Sequence, residues 1–181
     1  MATESLSMDL GMSAPPFALR ATDGRTYTLA DVRGAHGLVV AFICNHCPYV
    51  KAVLPAMFDD VVALRGLGIG FVGVNANDAL AYPEDSYSAM VALAEEMALP
   101  FLYLRDETQR VARAYGAVCT PEFFGFDADL KLRYRGRLDA SRKNAVPNAR
   151  RELVDAMRDV VLTGAVKGEQ FPAMGCSIKW R

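Results

Sequence analysis

Cys44 and Cys47 stand two residues apart in the stretch FICNHCP (residues 42–48), with His46 against the second sulfur and Pro48 directly after it. Two cysteines at this spacing fit three readings: thiol–disulfide exchange, half of a metal site, or two buried residues with no chemistry. A zinc site needs two more ligands. His36, His46, Cys119 and Cys176 are the other histidines and cysteines of the chain, and no second close-spaced pair follows. No metal site is therefore expected, and His36, in a Gly-rich loop, reads as a surface residue. The opening MATESLSMDLGM has neither the charged n-region nor the apolar h-region of a secretory signal. The expected compartment is the cytoplasm, where a close cysteine pair is more often redox-active than structural.

The residues around the pair say what must hold it. Leu38 to Ile43 is an all-apolar, β-branched run of the kind found in covered sheets. Beyond Cys47 the period changes: Val50, Val53, Leu54, Met57, Phe58, Val61 and Val62 mark one stripe of a helix, closed by Gly66 and Gly68. Pro48 suits the first helical turn, and Pro55 inside the helix leaves Lys51 without its backbone partner. The pair thus falls between a strand end and a helix start. Free N–H groups and the dipole there favour thiolate over thiol, and a protonated His46 adds to that. A free cysteine titrates at about 8.5, and such sites lower it to ~3.5–7.5. Cys44, ahead of the helix, is expected to be the exposed, attacking sulfur. Cys47 is expected to resolve the mixed disulfide, in a step made fast by being intramolecular.

The other elements follow the same logic. Residues 69–75 and 101–104 read as strands and 83–99 as a helix. Asp106 reads as the cap of a short helix, with Gln109 completing a capping box and Gly116 ending it. Strands at 122–126 and 131–136 flank the turn DAD, and a last helix spans about 147–162, stopping at Gly164. The chain of 181 residues, 52 % hydrophobic and 23 % charged, is read as a single α/β domain over 1–181, with 165–181 as a tail packed on it. The fold class is a central mixed sheet with helices on both faces. Net charge is −1 with no basic run, so neither nucleic acid nor membrane is an expected partner.

With C-x-x-C at a helix start and Thr120-Pro121 leading into a hairpin and a final helix, the sequence resembles the thioredoxin superfamily. It is most similar to the redoxin group, which includes thiol–disulfide oxidoreductases and peroxiredoxins. The opening SAPPFALRATDGRTYTLADVRGAHGLVVAF (residues 13–42) is similar to the redoxin N-terminal extension, and the elements between Phe101 and Tyr115 resemble its inserted strand and helix. The resemblance implies a cis-proline at Pro121 lying against the dithiol, with Thr120 offering backbone groups to an extended substrate peptide. It implies exchange with protein or small-molecule disulfides, or with peroxides. Another dithiol would supply the electrons, and no bound cofactor is needed.

Departures from the family pattern carry information too. Ile43 stands where thioredoxins carry tryptophan, so substrate preference does not transfer. Histidine before the second cysteine is similar to the more oxidising disulfide isomerases and oxidases. The peroxiredoxin motif T-x-x-C would place the peroxide-attacking cysteine at Cys47 and its threonine at Cys44. No arginine lies between Gly116 and Leu130, where peroxiredoxins use one. A peroxidase built on Cys47 and a non-catalytic redox sensor are the alternatives to a dithiol oxidoreductase. Cys119 either faces the dithiol or fills a strand interior. Cys176, in the tail FPAMGCSIKWR, either resolves an oxidised cysteine as a third thiol or belongs to a structural patch with Ile178 and Trp180 buried. Asn75, Asn77 and Asp78 form a polar loop after a parallel strand, where ligands often bind.

Overall fold

Alternation in one strand sets the plan of the molecule. In the computed structural model, which describes residues 2–5 and 10–181, the strand Gly37–Phe42 is buried throughout. Val39, Ala41 and Ile43 enter one apolar cluster, while Leu38, Val40 and Phe42 enter another. Successive side chains of a strand point to opposite faces, so this strand is covered on both sides.

In chain order the elements are β1 (Ala2–Glu4), β2 (Ala18–Ala21), β3 (Thr26–Thr28), α1 (Leu29–Val32), β4 (Gly37–Phe42), α2 (Pro48–Gly66) and β5 (Ile69–Asn75). A 3₁₀ turn (Pro83–Asp85) precedes α3 (Tyr87–Glu96), β6 (Leu102–Arg105), α4 (Arg110–Tyr115), β7 (Cys119–Thr120), β8 (Glu122–Phe126), β9 (Leu132–Gly136), α5 (Glu152–Thr163) and β10 (Met174–Ser177). Seven strands form a mixed sheet in the order β3-β2-β6-β5-β4-β8-β9. The pairs β4–β5 and β5–β6 are parallel, and β4–β8 is antiparallel. The first cluster packs α2 and α5 on one face, with Val50, Val53, Met57 and Val61 meeting Leu153, Met157 and Val160. The second packs α4 and the N-terminal strands on the other, around Phe17, Leu19, Val111 and Tyr115. This is the expected thioredoxin-like layering.

Four expectations change. The 83–99 segment divides at Ser86, whose Oγ accepts the Ala89 N–H and starts α3 afresh. The short helix is capped by Gln109 in a left-handed conformation (φ 62°), not by Asp106. The Asp106 carboxylate reaches past it and accepts the Ala112 N–H at 2.8 Å. The last helix begins at Glu152 because Asn148, at φ 53°, breaks any helix started at Pro147. Trp180 is 37 % exposed, its ring stacked under Arg113, while Ile178 is buried.

A second sheet, β1-β10-β7, joins strands from near both ends of the chain to the segment before Pro121. Its strands span two to four residues, too short to show a period in the sequence. Cys176 pairs with Thr120 and Ser177 with Cys119. Gly175 permits this contact: a Cβ there would collide with the Thr120 carbonyl oxygen.

Candidate active site

Strand β4 ends at Phe42 and α2 starts at Pro48, so the segment Ile43–Cys47 turns the corner between them. Pro48 occupies the first helical turn, as its fixed φ favours. Cys47 caps α2, and its carbonyl accepts the Lys51 N–H at 3.0 Å. The Thr120-Pro121 bond is cis, and Thr120 lies against both sulfurs. Its Oγ1 lies 3.3 Å from Cys44 Sγ, and its carbonyl accepts from Cys47 Sγ at 3.2 Å. Across the small sheet, Thr120 is also the partner of Cys176. One threonine therefore stands next to Cys44, Cys47 and Cys176, and follows Cys119 in the chain.

Cys44 is not the exposed sulfur that the helix-start argument predicts. It is 2 % exposed and Cys47 fully buried, whereas Cys176 is only half-buried. The covering groups come from segments distant in sequence: the Asn75–Asp85 loop on one flank and β10 on the other. The ionisation order also reverses. Cys47 is lowered to about 4, first by its hydrogen bond with Cys44, then by Thr120 and the Val50 N–H, with Cys176 adding a smaller share. Cys44 is pushed far up by that same hydrogen bond, by burial and by the Asp85 carboxylate. Of the two sulfurs, Cys47 is therefore the readier to ionise and Cys44 the one that keeps its proton; while Cys47 is still a thiol, its proton goes to the Thr120 carbonyl.

Asp85 organises the Cys44 flank. It is fully buried, and its Oδ1 accepts the Asn45 N–H at 2.7 Å and Asn75 Nδ2 at 3.2 Å. Its Oδ2 accepts Asn77 Nδ2 at 2.7 Å and lies 2.6 Å from His46 Nδ1. Tyr103 Oη donates to Asn45 Oδ1 at 2.9 Å and accepts from Asn75 Nδ2 at 3.1 Å. Among the described residues, no buried side-chain nitrogen or oxygen lacks a partner, which lets so polar a knot sit inside the protein.

His46 accordingly hydrogen-bonds Asp85 rather than either sulfur, with its ring stacked on Tyr82. Asn75 and Asn77 serve the knot, and Asp78 pairs with Arg181. Sequence reasoning missed Asp85 and Tyr103. The polar run after β5 was their only trace.

Cys44, His46 and Asp85 offer metal-ligating atoms within 4.8 Å of one another. Three donors are one short of a tetrahedral protein site. Both Asp85 oxygens are already committed to Asn45, Asn75, Asn77 and His46, so this donor set fits a hydrogen-bonded network. Cys119 is a strand filler, fully buried beneath the Ala173 carbonyl, and its thiol is pushed up by burial. His36 is exposed and lies 2.9 Å from the Leu67 carbonyl.

Comparison with known proteins adds to this geometry. A family model described as AhpC/TSA matches residues 10–135. The chain is 27 % identical over 131 residues to the thiol-disulfide oxidoreductase ResA of Geobacillus thermodenitrificans (strain NG80-2), covering 72 % of this chain and 71 % of that protein. It is 26 % identical over 106 residues to the chloroplastic peroxiredoxin Q of Oryza sativa subsp. japonica, covering 59 % of this chain but only 45 % of that one. Among solved structures, an uncharacterized conserved protein from Geobacillus kaustophilus superposes with a TM-score of 0.93 at 47 % identity, over 100 % of this chain and 97 % of that one.

Proposed function

This chain belongs to the AhpC/TSA family, and from that premise we propose that it is a cytoplasmic thiol–disulfide oxidoreductase working through the Cys44–Cys47 couple. Cys44 bonds to the substrate sulfur and Cys47 breaks that bond. The observation that carries the reading is the placement of both sulfurs at one helix start and against one threonine.

A thiol with a low pKa is the better leaving group in disulfide exchange. When the couple is oxidised, an incoming thiolate therefore attacks Cys44 and expels Cys47. In the opposite direction, Cys44 passes its proton to Cys47 and attacks a substrate disulfide. Stabilising the Cys47 thiolate stabilises the reduced form, which makes the disulfide form an oxidant. His46 and Asp85 position Cys44, and Thr120 with Pro121 holds both sulfurs. Electrons are exchanged with another dithiol. The test is turnover of a disulfide substrate with a dithiol donor: Cys44→Ser and Cys47→Ser should each abolish it. Undiminished turnover in Cys44→Ser would end the proposal.

One observation favours a second reading. Cys47, whose ionisation is the favoured one of the pair, holds the position that a peroxiredoxin would use, and Cys176, paired with the same Thr120 that touches Cys47, would resolve its sulfenic acid. Peroxide consumption lost in Cys47→Ser but kept in Cys44→Ser would favour that chemistry.

A further inference from the structure

If the couple exchanges disulfides, its substrate must reach Cys44, and two independent features restrict what can do so. The first is the Thr120 edge. An extended peptide would dock there by adding a strand, but β10 of the same chain already holds the edge. Cys176 pairs with Thr120, Ser177 with Cys119, and the Ile178 N–H reaches the Val118 carbonyl at 3.0 Å. The tail is fastened beyond the strand as well: Lys179 accepts the Asp78 N–H at 2.8 Å and donates to Asn77 Oδ1 at 2.9 Å.

The second feature is a cavity of about 230 Å³ between the first turns of α2 and the end of α3, with Cys44 among its lining residues. Val50, Leu54, Leu93 and Leu99 form its walls, and Lys51 is the only charged residue on it. A 320 Å³ hollow at Asp60 and Arg151 and a 340 Å³ hollow at Tyr49 and Lys143 are larger but hold no sulfur. Drug-sized ligands occupy pockets of roughly 300–1,000 Å³, so the Cys44 cavity suits something smaller.

Resting on the thiol–disulfide reading above, we infer that the substrate is a small disulfide with an aliphatic body and an anionic end, entering through this cavity rather than along the Thr120 edge. The aliphatic part replaces water on the α2–α3 walls, the anion meets Lys51, and the sulfur–sulfur bond comes to Cys44. Cys44, having passed its proton to Cys47, attacks the nearer substrate sulfur. The substrate S–S bond breaks and the farther half leaves as a thiolate that takes up a proton. Cys47, giving up the transferred proton, then attacks Cys44, so that the Cys44–Cys47 bond forms and the second half leaves as a thiolate. One disulfide, one thiol and one thiolate of the protein become one protein disulfide, one substrate thiol and one substrate thiolate.

Symmetrical bis(ω-carboxyalkyl) disulfides of increasing chain length are the probe, with insulin as the protein disulfide and a dithiol donor throughout. Burying one methylene is worth about fourfold in affinity. kcat/KM should climb by about that factor per added methylene until the cavity is full, and then level off. Leu93→Trp should flatten the series and lower its best member by more than tenfold. Met97→Trp, at the partly exposed rim, gives the same test should the first variant misfold. Gly175→Val, which drives β10 off Thr120, should raise insulin reduction while leaving the chain-length trend in place. The inference is overturned, with the dithiol reading intact, if insulin matches the best small disulfide or if the series is flat in the unmodified protein. Failure to turn over any disulfide, with alkyl hydroperoxides consumed instead, overturns both.

Discussion

The two flanks of the dithiol differ in the charge that they bring to sulfur. On the Cys44 flank a buried carboxylate, Asp85, is held by Asn45, His46, Asn75 and Asn77. On the Cys47 flank the neighbours are a backbone carbonyl, the first amides of α2 and the Cys176 thiol. Both sulfurs lie near the same helix start, so the macrodipole treats them nearly alike. What separates them is first the hydrogen bond between them, then the deeper burial of Cys44, and then the Asp85 carboxylate against it, which together leave the proton on Cys44. Helix position alone therefore does not say which cysteine of such a pair is ionised.

The widest break of this comparison removes a sulfur. The unmodified protein should show one thiolate by ultraviolet absorbance at neutral pH, titrating near a value of about 4. Cys47→Ser should abolish that thiolate, and Cys44→Ala, which has no donor, should raise the midpoint by removing the hydrogen bond that lowers it most. The flanks should also give stability opposite slopes with pH. The folded value of Cys47 is depressed, so its contribution is complete above the unfolded value of about 8.5 and is lost as pH falls through about 4. The folded value of Cys44 is raised, so its contribution is complete below the unfolded value and is lost as pH rises above it. Urea midpoints across pH should lose the acid limb in Cys47→Ser and the alkaline limb in Cys44→Ser. Unchanged curves in both variants would remove the assignment of the proton.

Next in size is Asp85→Ala. It leaves the Asn45 N–H and the Asn75 and Asn77 amides without their acceptor in a dry site, at about 1–3 kcal/mol for each group left unpaired. Urea denaturation should show a loss of at least ~2 kcal/mol. In folded protein, alkylation of Cys44 should reach its midpoint at a lower pH, since the negative charge that adds to the hydrogen bond with Cys47 and to burial is gone. A loss of stability with an unmoved Cys44 profile would show that Asp85 only supports the loop.

The flanks also differ in how far the sequence reveals them. The strand, the helix and the cysteines between them follow from local period and from Pro48, because those features act over a few residues. Five strands of the sheet are legible for the same reason, with Leu38–Ile43 and Ile69–Asn75 declaring themselves as buried runs, whereas the short edge strands β2 and β3 do not. Asp85 is hidden inside what reads as one helix from 83 to 99, and its role depends on Asn45, forty residues earlier. The tail is hidden more deeply, since β10 and β7 are too short to show periodicity and only their pairing reveals that Cys176 faces Thr120. The exposure of Cys44 was misjudged because both covers are long-range.

The smallest test concerns the link between the flanks. Arg181 Nε lies 3.0 Å from Asp78 Oδ1, joining the last residue of the tail to the loop that carries Asp85. Arg181 is 44 % exposed in its side chain, and solvent-exposed pairs contribute about 0–1 kcal/mol. The Lys179 backbone, by contrast, is bonded to Asp78 and to Asn77, which itself holds Asp85. Arg181→Ala should therefore cost no more than about 1 kcal/mol in urea, diminish with salt, and leave the Cys47 titration in place, because the backbone link survives. A shift of that titration would mean that the surface pair, and not the Lys179 backbone, keeps the tail and the loop in register around the two sulfurs.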